Sequence, residues 1–225
     1  MAKVLWLGDA GCHTGFGTVT HEIADRLIVQ YGHDVHALAV NWSGDPYPTN
    51  VKLYLPTKSN RMDMYGQSRI VELMHQIRPD VVVMLNDPFV IAKTLFANRW
   101  DPDKLLLQAR PIISYVPVDG CHQPNSWRVV QEVTTTVLMS GHGRSWSPKS
   151  PVVYHGVDTF QYRPASEHSP LISSGGYIVT DKRSAKEALG YNPESFLVAR
   201  VDRNTRRKDY ASTWKALLPI MHDRE

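Results

Sequence analysis

The sequence predicts an α/β protein with a doubly wound, mostly parallel sheet, followed by the start of a second, incomplete α/β unit. Three observations carry this prediction. Apolar runs typical of strands alternate with segments of helical period. Some runs, such as VVVML at residues 81–85, are apolar throughout, as expected for strands covered on both faces. After Pro164 serine, proline and glycine accumulate before the alternation resumes.

The elements of the first unit follow from these patterns. Apolar runs bounded by turn residues predict strands at residues 3–8, 34–40, 51–55, 80–86, 111–118, 133–139 and 151–154. Apolar residues recurring every three or four positions predict helices at residues 16–31, 61–77, 88–97 and 125–132. The second of these helices stops before Pro79, since proline disfavours a helical residue before it.

The second unit is predicted to be short. We expect the first domain at residues 1–164, a linker at residues 165–177 and a partial second domain at residues 178–225. Within the second domain the patterns predict a helix at 181–189, a strand at 195–201 and a helix at 210–221. One strand and two helices cannot build a covered sheet, so this domain is expected to be incomplete.

The composition predicts an ordinary globular protein. Hydrophobic residues make up 42% of the chain and charged residues 21%, and the net charge is +3. No apolar run approaches the ~20 residues that span a bilayer, and the N-terminus lacks the pattern of a signal peptide. The cysteines, Cys12 and Cys121, form no disulfide framework. We therefore expect a cytoplasmic protein without a transmembrane segment.

The most informative stretch is GDAGCHTGFGTVTHEIADRL, residues 8–27, in which four glycines precede a helical pattern. Glycine amides at a helix N-terminus form an anion-binding site. The alternative is a tight turn that needs glycine only for positive φ. A dinucleotide-binding loop fits poorly, because Thr20 stands where the third glycine belongs and the second strand ends at Asn41 rather than an acid.

Ligands of parallel sheets bind beyond the carboxyl ends of the strands. The glycine loop and residues 86–88, 119–122 and 140–144 are all predicted to lie there. A basic run at residues 200–208 also follows a predicted strand and precedes a helix. That run is either a solvated charged face or a second anion site. Two anion sites, one in each unit, indicate a diphosphate held in a cleft between them.

Other chemistries are weakly supported. Asp101 and Asp103 form a D-x-D pattern in a loop after Trp100, and two Cys-His pairs at residues 12–13 and 121–122 lack zinc-site spacing, so no metal is expected. No G-x-S-x-G elbow is present, which disfavours a serine hydrolase. Aromatic residues are not interleaved with the basic run, so we expect no nucleic-acid partner.

The sequence resembles the GT-B glycosyltransferases of family 4, which retain anomeric configuration. Three segments carry the resemblance, in the order found in the family: TGFGTVTHEIADRL (14–27), VVYHGVDTFQYRP (152–164) and FLVARVDRNTRRKDYASTWKAL (196–217). YVPVDGCHQPNSW (115–127) is also similar to a segment of some members. The resemblance implies two Rossmann-like domains. It also implies metal-independent transfer of a sugar from a nucleotide-diphosphate sugar to an acceptor, without a further cofactor. The acceptor would be a glycan, a lipid or a protein.

The resemblance also implies roles for individual residues. The donor diphosphate would meet the loop formed by Gly15, Phe16, Gly17 and Thr18. Arg200 and Lys208 would neutralise the charge that develops on the leaving phosphate. Arg203 is an alternative to Arg200, because Arg206 and Arg207 blur the register.

On the acceptor side, Asp119 and His122 are the catalytic candidates and Asp87 is a further polar candidate. The family histidine that follows the strand at residues 111–118 has no direct match, because Pro117 or Asp119 stands nearest to its position.

The HGVD segment, with His155, Gly156 and Asp158, corresponds to the interdomain hinge of the family.

One departure concerns the end of the chain. The donor domain of the family continues past the position of Glu225 and carries a glutamate pair that binds the ribose and the transferred sugar. We therefore expect a truncated or split form with little activity alone, completed by a separate chain or by a homo-oligomer. A non-catalytic scaffold that binds a glycan or a partner is the alternative.

Overall fold

A computed structural model describes residues 1–56, 63, 65–67, 69–97, 110–118, 124–160, 162–202 and 205–222. The chain divides into two compact units, Met1–Gly156 and Val157–Glu225. Among the described residues, no helix has both the length and the apolar character needed to cross a membrane.

The first unit is built on a sheet of six strands, and every neighbouring pair is parallel. The strands are β1 (Lys3–Asp9), β2 (Asp34–Val40), β3 (Lys52–Tyr54), β4 (Val81–Leu85), β5 (Ile112–Val116) and β6 (Thr135–Leu138). Their order across the sheet is β3-β2-β1-β4-β5-β6. This order is that of a Rossmann-like doubly wound fold, so the predicted fold class is confirmed.

Helices cover both faces of this sheet. They are α1 (Gly15–Val29), α2 (Ile70–Ile77), α3 (Pro88–Ala97) and α4 (Pro124–Val133). Side chains alternate along β1, so that Leu5 and Leu7 belong to one apolar cluster with α2, α3 and α4, whereas Val4 and Trp6 belong to another with α1. The Trp6 indole Nε1–H donates to Thr20 Oγ1 at 3.1 Å, which fixes α1 against the sheet.

Several predicted elements of the first unit are shorter than expected, and two of them differ most from the structure. The helix predicted at residues 61–77 begins at Ile70; residues 57–62, 64 and 68 lie outside the described residues. Gly66 has a φ of 67°, which no helix accommodates, and a Cβ there would lie 2.8 Å from Leu38 Cδ2. The strand predicted at residues 151–154 is reduced to a single parallel bridge between Leu138 and Val152.

A polar network joins β2 to the edge strand β3. The His36 ring shares a hydrogen bond of 2.9 Å between its Nδ1 and the Tyr54 hydroxyl, and its Nε2 lies 3.1 Å from Asp34 Oδ2. Lys52 Nζ donates to Asp34 Oδ1 at 2.7 Å. The hydrogen bond from Lys52 and the interactions with His36 hold the pKa of Asp34 below its ordinary value of 3.8, although burial opposes this.

This network predicts a pH-dependent contribution to stability. Because the pKa of Asp34 is lowered on folding, its contribution is complete above pH 3.8 and is lost as the pH falls below 3.8 through the folded-state pKa. The free energy of unfolding, measured in urea, should therefore differ more between the wild type and Asp34→Asn at about pH 6 than at about pH 3. A difference that is equal at both pH values would contradict this role of Asp34.

The second unit contains a short hairpin and two α-helices in its described part. Strands β7 (Leu171–Ile172) and β8 (Ile178–Val179) pair antiparallel, and β7 lies within the segment expected to be a linker. Helix α5 (Lys182–Ala188) is capped by Asp181, whose side chain accepts from the Ser184 amide at 2.7 Å. A 3-10 turn (Arg206–Lys208) precedes α6 (Tyr210–His222). The predictions of both helices are confirmed.

The predicted strand at residues 195–201 is wrong. Residues 196–202 belong to no ladder in the described part of the chain, and the side chains of Phe196 and Val201 are 81% and 99% exposed. The apolar pattern is that of a strand, but a strand also needs a neighbour to take its amide and carbonyl groups. In the described part of this unit β7 and β8 pair with each other, and neither pairs with this segment.

Candidate phosphate-binding loops

The first candidate loop lies where the strand order reverses. β1 stands between β2 and β4 in the sheet, so the loops after β1 and β4 leave its carboxyl edge side by side. In doubly wound sheets ligands bind in the crevice at this position. The two strands pack so closely there that a Cβ on Gly8 would lie 2.8 Å from the Leu85 carbonyl oxygen.

A buried carboxylate fixes the loop between β1 and α1. Asp9 is 5% exposed. Its Oδ2 accepts from the Thr14 hydroxyl at 2.5 Å, and its Oδ1 accepts from Asn41 Nδ2 at 2.9 Å. Thr14 is also the N-cap of α1, since its Oγ1 accepts from the Gly17 amide at 3.0 Å. One carboxylate thus ties the cap of α1 to the end of β2.

The glycines of this loop serve close packing rather than unusual backbone angles. None of Gly8, Gly11, Gly15 and Gly17 has a positive φ, so the tight-turn alternative is wrong. A Cβ on Gly11 would lie 2.3 Å from Trp42 Cδ1, and a Cβ on Gly17 would lie 2.3 Å from the Cys12 carbonyl oxygen. The chain itself therefore requires glycine at these positions.

Gly15 is the exception. A Cβ built on Gly15 would meet no atom within 4 Å, so packing of the described chain does not explain this glycine. The amides of Gly17 and Thr18 are engaged by the side chain and the carbonyl of Thr14. No acceptor is recorded among the described residues for the amides of Gly15 and Phe16. The N-terminus of α1 therefore offers two backbone donors beside open space, and its first turn carries no acidic side chain.

The neighbouring loop after β4 caps α3. Asn86 Oδ1 accepts from the Asp87 amide at 2.9 Å, and the Asp87 carbonyl accepts from the amides of Val90 and Ile91 at 2.9 and 3.2 Å. Asp87, the additional acceptor-side candidate, thus lies at the start of α3 on the same edge as the glycine loop. Asp119 and His122 lie outside the described residues, so their predicted roles stay predictions.

The HGVD segment lies at the division between the units. His155 and Gly156 end the first unit and Asp158 belongs to the second. The His155 ring meets Tyr115 edge-on, with centroids 5.6 Å apart. The Tyr115 hydroxyl donates to the Val153 carbonyl at 2.7 Å, and burial raises the pKa of Tyr115. Asp158 Oδ1 accepts from the Phe160 amide at 2.8 Å. The hinge assignment itself stays a prediction.

The second candidate loop lies in the second unit, around the 3-10 turn before α6. The Arg200 guanidinium donates to the Lys208 carbonyl and to the Thr213 hydroxyl, and it lies 4.5 Å from the centroid of the Tyr210 ring. A longer bond of 3.4 Å reaches the Asp209 carbonyl. Arg200 thus clamps the turn to the first turn of α6. Arg203, the alternative to Arg200, lies outside the described residues.

Lys208 differs from Arg200 in its environment. Its Nζ lies 3.1 Å from Asp202 Oδ2, and its side chain is 33% exposed. Asp202 Oδ2 also lies 3.9 Å from an Arg200 nitrogen. Asp202 is a residue of this loop that the sequence patterns above do not predict, although its position between Arg200 and Lys208 is the signal that could have identified it. The described residues contain no cluster of three or more His, Cys, Asp or Glu side chains able to hold a metal ion.

Together these features define a Rossmann-like α/β protein with two candidate phosphate-binding loops, one in each unit. Comparison with protein-family models finds no family that matches the chain. Comparison with curated proteins finds no significant match.

Proposed function

We propose that this protein is a glycosyltransferase of the GT-B, family 4-like class. It would transfer a sugar from a nucleotide-diphosphate sugar to an acceptor without a metal. The observation that carries the proposal is Gly15, which opens α1 at the reversal of strand order. In the part of the chain that the structure describes, neither its amide nor that of Phe16 has a protein acceptor, and no packing contact explains why glycine stands at this position. A helix N-terminus of this kind stabilises phosphate oxygens.

The second loop independently offers a cation suited to phosphate oxygens. Lys208 carries an ammonium group with three donors on a flexible stem, and Arg200 fixes the turn that presents it. In the proposed reaction the bond between the sugar carbon C1 and the diphosphate oxygen breaks, C1 bonds to the oxygen of the acceptor hydroxyl, and the hydroxyl proton passes to the departing diphosphate. Negative charge then builds on the departing diphosphate. Donors such as the backbone amides at the start of α1 and, separately, the Lys208 ammonium before α6 are of the kind that stabilises such charge more in the transition state than in the donor.

The proposal predicts selective stabilisation by nucleoside diphosphates. Thermal unfolding should be followed with UDP, GDP or ADP, and with uridine, guanosine or adenosine as matched controls lacking phosphate. At about tenfold excess over Kd, the preferred diphosphate should raise Tm by about 4 °C, because it binds the native state. The nucleosides should shift Tm much less. Failure of all three diphosphates at millimolar concentration would contradict the proposal.

A further inference from the structure

Asp202 is an acidic residue within a run of basic residues, and its carboxylate lies near the cationic groups of Arg200 and Lys208. We infer that Asp202 is a built-in counter-ion that competes with phosphate oxygens for the Lys208 ammonium. This inference rests on the proposed function and deepens it. It assigns Asp202 as a residue that limits how tightly the loop binds anions.

The geometry distinguishes the two cations. The Arg200 guanidinium is held by the Lys208 carbonyl, the Thr213 hydroxyl and the Tyr210 ring, so it is fixed by contacts other than Asp202. At 3.9 Å, its separation from Asp202 Oδ2 is also longer than a hydrogen bond. Arg200 is therefore a positioning residue, which shapes the turn that carries Lys208.

Lys208 is the cation that can exchange partners. Its Nζ has three N–H donors, and the partner recorded for it in the described part of the chain is Asp202 Oδ2, at 3.1 Å. A lysine stem rotates more freely than a guanidinium held on several sides. The side chains of Lys208 and Asp202 are 33% and 26% exposed, so solvent screens this ion pair only in part.

The competition has a consequence for the class of anion. An incoming anion must displace or tolerate a carboxylate of unit negative charge. Diphosphates gain more from Lys208 than singly charged anions do, but Asp202 also repels diphosphates more strongly. Asp202 therefore weakens the binding of anions at Lys208, and its effect is larger for diphosphates than for monovalent anions such as acetate.

The test is calorimetric titration of inorganic pyrophosphate into the wild type and Asp202→Asn. The substitution keeps the size of the side chain, and the Asp202 carbonyl that accepts from the Tyr210 hydroxyl is unaffected. Removing the negative charge of Asp202, which would lie about 4 Å from a bound pyrophosphate, should tighten pyrophosphate binding about fivefold. Glu194→Gln is the matched control. It makes the same charge change at a carboxylate that pairs with Arg183, so its affinity should equal that of the wild type.

The outcomes separate this inference from the proposed function. Tighter binding by Asp202→Asn, or binding by this variant alone, supports the inference. Equal or weaker binding by Asp202→Asn, while the wild type binds, overturns the inference and leaves the proposed function intact. Absence of pyrophosphate binding to both proteins also overturns the inference. In that case the thermal shifts with nucleoside diphosphates decide the proposed function separately.

Discussion

Replacing Gly17 with alanine is expected to lower the free energy of unfolding by about 3 kcal/mol. The new Cβ would lie 2.3 Å from the Cys12 carbonyl oxygen, which is a backbone atom and cannot swing aside as a flexible side chain can. Relief requires the loop to move, and that movement disturbs the bond from the Gly17 amide to Thr14. Thr14 in turn donates to the buried carboxylate of Asp9, so the strain spreads into a buried hydrogen-bond network.

Equilibrium unfolding in urea measures this effect, with Gly15→Ala as the matched control. Gly15 lies two positions earlier in the same helix, but a Cβ there meets nothing within 4 Å. The free energy of unfolding of this control should therefore lie within about 0.5 kcal/mol of the wild-type value. Similar losses in the two variants would show that the close contact between Gly17 and Cys12 is not what requires glycine.

The second large effect concerns binding. Lys208→Met is expected to weaken binding of the preferred nucleoside diphosphate by about 10- to 100-fold, because hydrogen bonds to charged groups contribute about 1.5–3 kcal/mol. Methionine keeps most of the apolar stem and removes the ammonium. The Lys208 carbonyl that accepts from Arg200 remains in place, so the turn before α6 should keep its shape.

Titration of the nucleoside diphosphate into both forms measures the loss. Lys182→Met is the matched control, since it removes one positive charge from an exposed site at the start of α5. It should bind as the wild type does. Equal weakening in both variants would point to the net charge of the chain rather than to Lys208, and an unchanged affinity of Lys208→Met would remove this residue from the site.

Much of the first unit could be predicted from the sequence, because its signals are local. The bounds of β2 and α3 match their predicted residues, since a mostly apolar run marks β2 and a proline at the first helical position marks α3. The segment at residues 195–201 has an equally good strand pattern and forms none. Pairing depends on a neighbour distant in the chain, and a local pattern contains no information about that neighbour.

The candidate site shows the same limit. The sequence shows four glycines around the start of α1, but it does not indicate which of them the chain itself requires. That distinction depends on Trp42 and on the carbonyl of Cys12, which approach Gly11 and Gly17 only in the folded loop. Likewise, the sequence shows Asp202 among basic residues, but its pairing with Lys208 depends on the 3-10 turn between them.

The central claim is that phosphate groups bind at the N-terminus of α1, and Gly15→Asp tests it most directly. An acidic side chain in the first turn of a helix interacts favourably with the helix dipole, so the variant should be as stable as the wild type or slightly more stable. Its carboxylate would occupy the open space beside the Gly15 and Phe16 amides and repel phosphate. In calorimetric titration with inorganic pyrophosphate, we expect the folded variant to bind at least about tenfold more weakly than the wild type. A folded Gly15→Asp protein that binds pyrophosphate with wild-type affinity would contradict the account.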